Sequence, residues 1–275
     1  MTYRGRQVVV TGASSGIGQE AARSFAARGA TVIAVARRED RLERLVQELR
    51  VHAPDSRYLA GDLGEREFAE SIVREATLEG RRLDILVNNA GMPMHTQIYD
   101  LAAEQAERVM AVNFLSCVWT TLAALPAMVR AGGGTIVNVS SFAALVTPPR
   151  EAIYAASKAA MNSFTEGLWH DLAGSNVHAG IVNPGPIDTE IWEIGDEASS
   201  YRGRLYPPSI VVDAIFEVIE RKRFEVTVPR RHAGLVAARA LRLYVPGLLR
   251  WAMARFERVP PSILDRVRDG NGDGG

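Results

Sequence analysis

The stretch "TGASSGIG" at residues 11–18 lies between a short apolar run and a helical pattern. The run "QVVV" at residues 7–10 predicts a strand that enters the glycine-rich turn, and a helix follows from Gly18. Gly12, Gly16 and Gly18 carry no side chain where the backbone must turn sharply and approach a pyrophosphate. The N–H groups at the start of the helix would then face that phosphate. The spacing Gly-x-x-x-Gly-x-Gly differs from the common Gly-x-Gly-x-x-Gly pattern.

Short apolar runs alternate with helical patterns along the rest of the chain. Most of the runs are continuously apolar, which is typical of parallel strands covered on both faces. The alternation predicts an α/β fold, a Rossmann-type doubly wound parallel sheet of about seven strands with helices on both faces. Ligands bind such sheets at the carboxyl ends of the strands. The predicted strands are residues 7–10, 31–36, 57–60, 85–88, 135–139, 177–182 and 225–228, and the predicted helices are residues 18–28, 40–52, 65–79, 104–130, 154–173 and 209–222.

Composition limits the classes of function. The chain has 275 residues, of which 47% are apolar and 23% charged, so it can bury a sizeable core. Its formal net charge is zero, which argues against a nucleic-acid-binding protein. Cys117 is the single cysteine, so no internal disulfide can form, and this suits a reducing compartment. Since neither a signal peptide nor a run of about 18 apolar residues is visible, we expect a cytoplasmic protein.

The second predicted strand ends at Ala36 and is followed by a basic pair, Arg37 and Arg38. At this place NAD-specific folds usually have an Asp or Glu that accepts from the ribose 2′-hydroxyl. Arginine suits a 2′-phosphate instead, because its planar fork donates two hydrogen bonds and is always charged. Two cations at a helix start also oppose the helix dipole, and a phosphate would offset that cost. We therefore expect NADP(H) to be favoured over NAD(H); the alternative is a solvated pair partly balanced by Glu39 and Asp40.

Three further strand ends complete a predicted nucleotide site. Asp62 can accept a hydrogen bond from an adenine amino group, and the Leu63 backbone can frame the ring. The small Ala90 and Gly91 let a nucleotide lie against the backbone, and Thr189 can hold a nicotinamide carboxamide. The predicted cofactor-binding residues are Gly12, Ser14, Ser15, Gly16, Ile17, Gly18, Arg37, Arg38, Asp62, Leu63, Asn89, Ala90, Gly91, Tyr154, Lys158, Pro184, Gly185, Ile187 and Thr189.

The candidate chemical residues follow the fifth predicted strand. Tyr154 and Lys158 are four residues apart in a helical pattern, so they share one helix face, and Ser141 lies just beyond the strand end. A phenol with a pKa of about 10 must lose roughly 3 units to act near neutrality, which requires about 4 kcal/mol. An ammonium about 4 Å away supplies about that much at an effective dielectric constant of about 20. Ser141 can hold the substrate oxygen and stabilise the charge that develops there.

Taken together, these motifs resemble the short-chain dehydrogenase/reductase family, in its small single-domain branch. The resemblance covers about residues 7–229 and rests on "TGASSGIG", "NNAG", Asn113 in "VMAVNF", the set Ser141, Tyr154 and Lys158, and "PGPIDT". It implies that Tyr154 is the general acid/base, that Lys158 binds the nicotinamide ribose and lowers the tyrosine pKa, and that Ser141 positions the carbonyl. It further implies a proton relay organised by Asn113, and a homodimer or homotetramer formed through the helices at 104–130 and 154–173.

The carboxyl-terminal part is basic. Residues 230–258 hold seven arginines and one acidic residue, Glu257, among aliphatic and aromatic side chains. Such a segment can lie on an anionic membrane surface or pack on the core or on a second subunit with its arginines in water. We expect peripheral membrane contact through residues 230–258. The predicted organisation is a catalytic domain at 1–229, an amphipathic extension at 230–264 and a disordered tail at 265–275.

The substrate is expected to be a small, lipophilic carbonyl or alcohol compound. The segments 190–208, 92–98 and 142–146 are predicted to line its pocket, with an apolar set that also suits simple core packing: Trp192, Ile194, Tyr201, Tyr206, Met92, Met94, Phe142 and Leu145. No metal site is expected, because the five histidines have no ligand spacing. The alternatives to an NADP(H)-dependent oxidoreductase are a non-catalytic cofactor sensor and a sugar-nucleotide epimerase or dehydratase. A catalytic Tyr, Lys and Ser disfavour the sensor, and the glycine spacing disfavours the epimerase.

Overall fold

The computed structural model describes residues 2–190 and 203–256, except for the side chain of Phe256. Seven strands form its sheet: β1 (Gln7–Thr11), β2 (Thr31–Ala36), β3 (Arg57–Ala60), β4 (Ile85–Asn88), β5 (Gly134–Val139), β6 (Val177–Pro184) and β7 (Glu225–Val228). The α-helices are α1 (Gly16–Ala27), α2 (Glu39–Arg50), α3 (Arg66–Thr77), α4 (Ala103–Met110), α5 (Ser116–Arg130), α6 (Ala152–Asp171), α7 (Ser209–Arg221), α8 (Ala233–Tyr244) and α9 (Pro246–Phe256).

The strand order is β3-β2-β1-β4-β5-β6-β7, and every pairing is parallel. The order reverses between β1 and β4, the kind of position at which doubly wound sheets bind ligands. All seven predicted strands are present, and the predicted fold class is confirmed. Strand β6 is two residues longer than predicted, because Asn183 and Pro184 still pair with β7.

Consecutive strand residues face two separate layers of helices. Val8 and Val10 pack into a cluster with residues of α1, α2 and α7. Val9 packs on the other face with Leu86 and Ile136 and with residues of α3, α5 and α6. Because both faces are covered, strands β1, β2 and β4 are buried along nearly their whole length, and this explains their continuous apolar runs in the sequence. The edge strand β7 instead alternates between half-buried and buried residues.

The helix predicted at residues 104–130 is interrupted. A π-helical turn, Ala111–Leu115, separates α4 from α5. Such turns widen a helix locally and are frequent at functional sites. Here the turn contains Asn113, which is fully buried. By length and composition alone, Ala103–Arg130 could cross a membrane; within the fold it covers one face of the sheet, with Thr120 and Ala124 buried.

The basic segment after β7 forms two helices rather than one. Pro246 begins α9, and the preceding residue, Val245, leaves the helical conformation (φ −139°, ψ 59°), which a following proline disfavours. The inner sides of α8 and α9 form a third apolar cluster, in which Leu249 packs against Phe142 and Val146. The extension is therefore joined to the loop that follows β5. Residues 191–202 and 257–275, which include Trp192, Ile194, Tyr201 and the predicted tail 265–275, lie outside the described residues.

Candidate active site

A cleft of about 800 Å³ lies at the carboxyl ends of the strands. Two of the predicted site residues, Gly18 and Asn113, do not line it; both lie behind its wall. The predicted residues that line it are Gly12, Ser14, Ser15, Gly16, Ile17, Arg37, Arg38, Asp62, Leu63, Asn89, Ala90, Gly91, Ser141, Tyr154, Lys158, Pro184, Gly185, Ile187 and Thr189. The fold thus brings the residues of six strand ends to one cleft.

The glycine-rich turn has no room for a side chain at its three glycine positions. Gly12 has φ +67°, and a Cβ there would lie 2.9 Å from the Ala90 Cα. At Gly18 a Cβ would collide with the Gly12 carbonyl oxygen and lie 2.6 Å from Asn89 Nδ2. A Cβ at Gly16 would lie 2.9 Å from Thr189 Cγ2. Gly12 and Gly18 therefore make the turn compact, while Gly16 allows the segment after β6 to approach it.

A residue that the sequence analysis missed, Thr11, ties this turn to the end of β4. Its hydroxyl oxygen accepts from the backbone N–H groups of Asn89 (2.9 Å) and Ala90 (3.0 Å) and donates to the Val87 carbonyl (3.3 Å). Asn89 Nδ2 returns a hydrogen bond of 2.9 Å to the Thr11 carbonyl. Thr11 directly precedes Gly12, so a hydroxyl at that place was the available signal.

Arg38 is held by hydroxyl groups of the glycine-rich turn. Its Nη2 donates to Ser15 Oγ (2.7 Å) and Ser14 Oγ (3.1 Å), and its Nε donates to Ser14 Oγ (3.2 Å). Its Nη1 pairs with Glu190 Oε2 at 2.8 Å, and Arg41 Nη1 pairs with Glu190 Oε1 at 2.5 Å. Arg41 and Glu190 were not predicted. Arg41 lies three residues after Arg38, hence on the same face of α2.

Asp62 is already engaged by protein groups. Its Oδ1 accepts from the Gly64 N–H (2.8 Å), and its Oδ2 pairs with Arg108 of α4. Partial burial favours the neutral acid, but the Gly64 N–H and the Arg108 guanidinium prevail and hold the pKa of Asp62 below its usual value. Asp62 is thus a fixed anion in the wall, beside the buried Leu63.

Tyr154 lies in the first turn of α6, within hydrogen-bond distance of Ser141. Burial raises the pKa of the Tyr154 hydroxyl to about 12; a hydrogen bond with Ser141 opposes this shift, and the Glu151 carboxylate adds to it. In the protein chain the pKa of Tyr154 is therefore raised and not lowered as predicted, because desolvation outweighs the hydrogen bond with Ser141. The Ser141 oxygen also accepts from the Ala143 N–H at 3.1 Å, which fixes its position.

Lys158 lies one turn further along α6 and is 3% exposed. Its Nζ donates to the Val139 carbonyl at the end of β5, over 3.0 Å. Burial lowers the pKa of Lys158 to about 8, against a small opposing effect of Cys117. At neutral pH the ammonium is still the main form, and it has two further N–H groups to donate.

Asn113 lies behind the cleft wall. Its Oδ1 accepts from the Met92 N–H (2.8 Å), and its Nδ2 donates to the Met92 carbonyl (3.0 Å) and to Ser157 Oγ (3.1 Å). A Cβ at Gly91 would lie 3.4 Å from both Asn113 Oδ1 and Lys158 Nζ. Asn113 therefore joins the π-helical turn, the loop after β4 and α6 close to the lysine.

The far end of the cleft is largely apolar and combines distant parts of the chain. Of the predicted pocket residues described, Met92 and Phe142 line it; Met94, Leu145 and Tyr206 do not. Leu235 of α8 and Met253 of α9 contribute instead. His95 and Glu151, whose Nδ1 and Oε1 atoms are 3.1 Å apart, form a polar edge. In the described ranges no three His, Cys, Asp or Glu side chains group as metal ligands would.

Comparison with known proteins agrees with this architecture. The family model for short chain dehydrogenases matches residues 6–198. The 11-beta-hydroxysteroid dehydrogenase 1A of Arabidopsis thaliana is 42% identical over 191 residues, which are 68% of this chain and 54% of that protein. This chain thus aligns with little more than half of that relative.

Two solved structures share the fold along most of their length. A short-chain dehydrogenase from Sphingobium yanoikuyae in complex with NADPH has a TM-score of 0.77 and 28% identity, covering 92% of this chain and 96% of that one. A short chain dehydrogenase/reductase from Burkholderia phymatum in complex with NAD has a TM-score of 0.81 and 26% identity, covering 90% and 96%. With the glycine-rich turn, the parallel sheet and the cleft at its carboxyl edge, these matches show that the chain belongs to the short-chain dehydrogenase/reductase family of NAD(P)-dependent oxidoreductases.

Proposed function

We propose that this protein transfers a hydride between NADP(H) and a lipophilic carbonyl or alcohol compound, with Tyr154 as the proton donor and acceptor. One observation carries the proposal: Ser141, Tyr154 and Lys158 line the same cleft as the glycine-rich turn and Arg38. A protein that only binds a nucleotide has no physical need for a phenol, an ammonium and a hydroxyl in this arrangement.

The lining of the cleft fits a dinucleotide. Gly12 and Gly16 present backbone without side chains, and the N-terminus of α1 adds N–H groups and a partial positive charge. Arg38, Ser14 and Ser15 provide donors for a phosphate, and Lys158 has donors for ribose hydroxyls. Thr189, adjacent to the turn, is in place for a carboxamide.

A bound nicotinamide nucleotide supplies or accepts the hydride. The proton is donated by a residue of the chain. With a pKa of about 12, Tyr154 is protonated at neutral pH and can donate its proton to a carbonyl oxygen. The hydrogen bond from Ser141 orients that oxygen and stabilises the resulting charge. The Lys158 ammonium stabilises the phenolate left behind. The apolar side chains around the substrate exclude water.

The cofactor preference is tested by binding. Arg38 and Arg41 favour a nucleotide with a 2′-phosphate. The position directly after β2, where NAD-specific folds have a carboxylate, is occupied by Arg37. We expect NADPH to bind more tightly than NADH, by tenfold or more if one charge-assisted contact is worth about 1.5 kcal/mol. Equal dissociation constants, or tighter NADH, measured by fluorescence titration, would refute the preference.

The substrate proposal rests on the apolar end of the cleft, where Leu235 and Met253 face Phe142. An NADPH-oxidation screen should compare steroid, retinoid, long-chain aldehyde and small ketone substrates. We expect turnover with the large apolar compounds, abolished by Tyr154→Phe without loss of NADPH binding. Turnover that survives Tyr154→Phe would remove Tyr154 from the mechanism, and binding without any turnover would favour the cofactor sensor.

We also propose a homodimer or homotetramer formed through α5 and α6. Leu122 (57% exposed) and Val129 on α5, with Trp169 on α6, are exposed apolar side chains on these helices. A second copy of the chain would cover them. Light scattering should give a dimer or a larger species that Leu122→Glu dissociates; a monomeric wild-type protein would contradict the proposal.

Finally, we propose that α8 and α9 contact an anionic membrane surface. Leu243, Tyr244, Leu248 and Trp251 are exposed on the outside of the two helices. Between residues 230 and 256 the sequence has six arginines and no acidic residue, so the charge is complementary to anionic lipid. The inner side of the same helices borders the cleft, and a lipophilic substrate could then enter from the lipid.

Sedimentation with vesicles tests this contact. Vesicles containing phosphatidylserine should sediment the full chain, but neither a chain truncated near Arg230 nor Leu243→Glu/Trp251→Glu. Leu122→Glu, an equal change on α5, should sediment like the wild type. Equal sedimentation of wild type and double variant would reject membrane contact through these helices, and a change of oligomeric state in the double variant would indicate a second copy of the chain instead.

A further inference from the structure

Glu190 joins two arginines at the place where the proposed 2′-phosphate would bind. Its two carboxylate oxygens are divided between the guanidinium groups, at 2.8 Å from Arg38 Nη1 and 2.5 Å from Arg41 Nη1. The other hydrogen-bonding edge of Arg38 is occupied by the hydroxyls of Ser14 and Ser15. The edge that meets Glu190 is therefore the one that Arg38 can offer to an anion. We call this arrangement the Glu190 bridge.

We infer that Glu190 is an internal competitor of the cofactor's 2′-phosphate, and that the Glu190 bridge sets how strongly the protein distinguishes NADP(H) from NAD(H). The inference rests on the proposed function, in that Arg38 and Arg41 must be the phosphate ligands. It adds a specificity-determining residue that opposes them.

A carboxylate and a phosphate bind a guanidinium in the same way, with two oxygens in the plane of the N–H donors. Both anions therefore require the same edge of Arg38. The hydrogen bonds from Arg38 and Arg41 hold the pKa of Glu190 below its usual value, so the competitor is charged at neutral pH. With Glu190 present, one of the three positive charges of arginines 37, 38 and 41 is already compensated.

The ion pairs of the Glu190 bridge are weak enough for a phosphate to replace them, although the backbone that carries Glu190 is held in position. The three side chains are 36–37% exposed, and ion pairs at this exposure contribute little to stability. The backbone before Glu190 is held by two contacts: the Asp188 N–H donates to the Tyr206 carbonyl at 2.7 Å, and Thr189 packs against Gly16. A phosphate dianion can replace the carboxylate on the arginines, whereas NAD(H), with a neutral 2′-hydroxyl, leaves the bridge formed.

The test removes the charge of Glu190 and keeps its shape. Glu190→Gln is compared with the wild type by calorimetric titration with adenosine 2′,5′-bisphosphate, which carries the 2′-phosphate without the nicotinamide, and with adenosine 5′-monophosphate. We expect the affinity for the bisphosphate to rise by about three- to tenfold and that for the monophosphate to change less than about twofold. NADPH and NADH should follow the same pattern. The gain should shrink at high salt, where the wild-type bridge is screened.

Two further variants keep the result interpretable. Glu190→Ala should shift the affinity for the bisphosphate in the same direction as Glu190→Gln, and agreement between the two excludes an effect of the amide itself. Glu48→Gln removes the carboxylate of another exposed ion pair, between Glu48 on α2 and Arg23 on α1, at 2.8 Å. This variant should change neither affinity.

The inference is overturned if Glu190→Gln leaves the bisphosphate affinity unchanged, or if it weakens that affinity. In the latter case Glu190 would position the arginines for the phosphate. These outcomes are distinct from failure of the proposed cofactor preference, which appears in the wild type as NADH binding at least as tightly as NADPH. A wild-type protein that prefers NADH, with a Glu190→Gln variant that gains NADPH affinity, would refute the preference and uphold the competition.

Discussion

The two sides of the cleft are built in different ways. The glycine-loop side, formed by residues 11–18, 36–41 and 61–63, consists of short turns that directly follow β1, β2 and β3. The tyrosine side, formed by residues 91–95 and 139–158 with Leu235 and Met253, combines the ends of β4 and β5 with parts of α6, α8 and α9. On the glycine-loop side, the position of each lining residue follows from the strand that directly precedes it. On the tyrosine side, the positions also depend on helices that are distant in the chain.

The two sides also differ in how burial acts on charge. Asp62 on the glycine-loop side, and Glu190, which pairs with Arg38 and Arg41 of that side, are partly exposed, and their arginine partners keep them ionised. On the tyrosine side, burial prevails: it raises the pKa of Tyr154 and lowers that of Lys158, so both groups are pushed toward their neutral forms. The glycine-loop side is suited to binding anions, whereas the tyrosine side contains a buried cation, Lys158, that destabilises the folded protein.

The largest expected effect is a separation of activity from stability at Lys158. Lys158→Met should reduce turnover by about 10³-fold, because the phenolate loses its stabilising charge. The same change should raise the free energy of unfolding at pH 7 by about 2 kcal/mol. It removes the desolvation cost of a buried ammonium, which outweighs the loss of its hydrogen bond to the Val139 carbonyl. Steady-state kinetics and chemical denaturation measure the two effects. A variant that loses both activity and stability would mean that the lysine is structural.

The pH dependence of stability gives the sign of this effect. The folded pKa of Lys158 is about 8, below its usual value of 10.5. Between these values the unfolded chain binds more protons than the folded chain, so the contribution of Lys158 to stability rises with pH through this window. Cys117 and Tyr154, whose pKa values are raised to about 12, contribute with the opposite sign above pH 9 and 10. The stability difference between Lys158→Met and wild type should therefore shrink as pH rises from 8 to 10.5.

The next effect concerns the glycine-loop side. Gly18→Ala should destabilise the protein by about 3 kcal/mol and abolish nucleotide binding, because the new methyl group would collide with the Gly12 carbonyl. Gly167→Ala on α6 is the control, since a Cβ there meets nothing within 4 Å. Thermal unfolding and NADPH titration distinguish them. Normal binding by Gly18→Ala would show that the turn can relax, and that its compactness is dispensable.

The predictability of the fold follows the same division. Strands β2, β3, β4 and β7 have the predicted ends. Continuous apolar runs mark the buried strands β2 and β4, whereas β3 and β7 are short runs that mix apolar and polar residues. The π-helical turn at Ala111–Leu115 leaves no signal in residue periodicity, so one helix was predicted where α4 and α5 stand. The break at Pro246 was available from proline chemistry and was missed, because the segment was considered only for its charge and its apolar residues.

The candidate site was predictable where a side chain acts on the turn that carries it. Ser14, Ser15 and Arg38 line the cleft as expected. Arg41 and Glu190 were missed because their meeting requires the end of β6 to reach the start of α2, a contact between positions 149 residues apart. Leu235 and Met253 were missed for the same reason: only tertiary packing decides which side of α8 and α9 faces the cleft.

A smaller effect is expected at the apolar end of the tyrosine side. Met253→Ala should lower kcat/KM for a long apolar substrate by about tenfold, since it removes buried apolar contact worth about 1.4 kcal/mol. NADPH affinity should not change. Leu248→Ala, on the exposed side of α9, should leave both parameters unaltered. If Met253→Ala changes nothing with any substrate accepted by the wild type, α9 does not take part in the substrate site.

The smallest effect distinguishes two adjacent arginines. Arg38 is bound to Ser14 and Ser15, whereas Arg37 is exposed and acts only through its charge. Arg37→Gln should weaken NADPH binding about twofold, an effect that disappears at high salt because exposed charges are screened. Arg38→Gln should weaken NADPH binding about tenfold or more at any salt concentration, since it removes hydrogen bonds as well as charge. Affinities for NADPH at two ionic strengths measure both variants. A larger loss in Arg37→Gln would mean that Arg37 is the phosphate ligand, and the Glu190 bridge would then lie beside the phosphate site rather than in it.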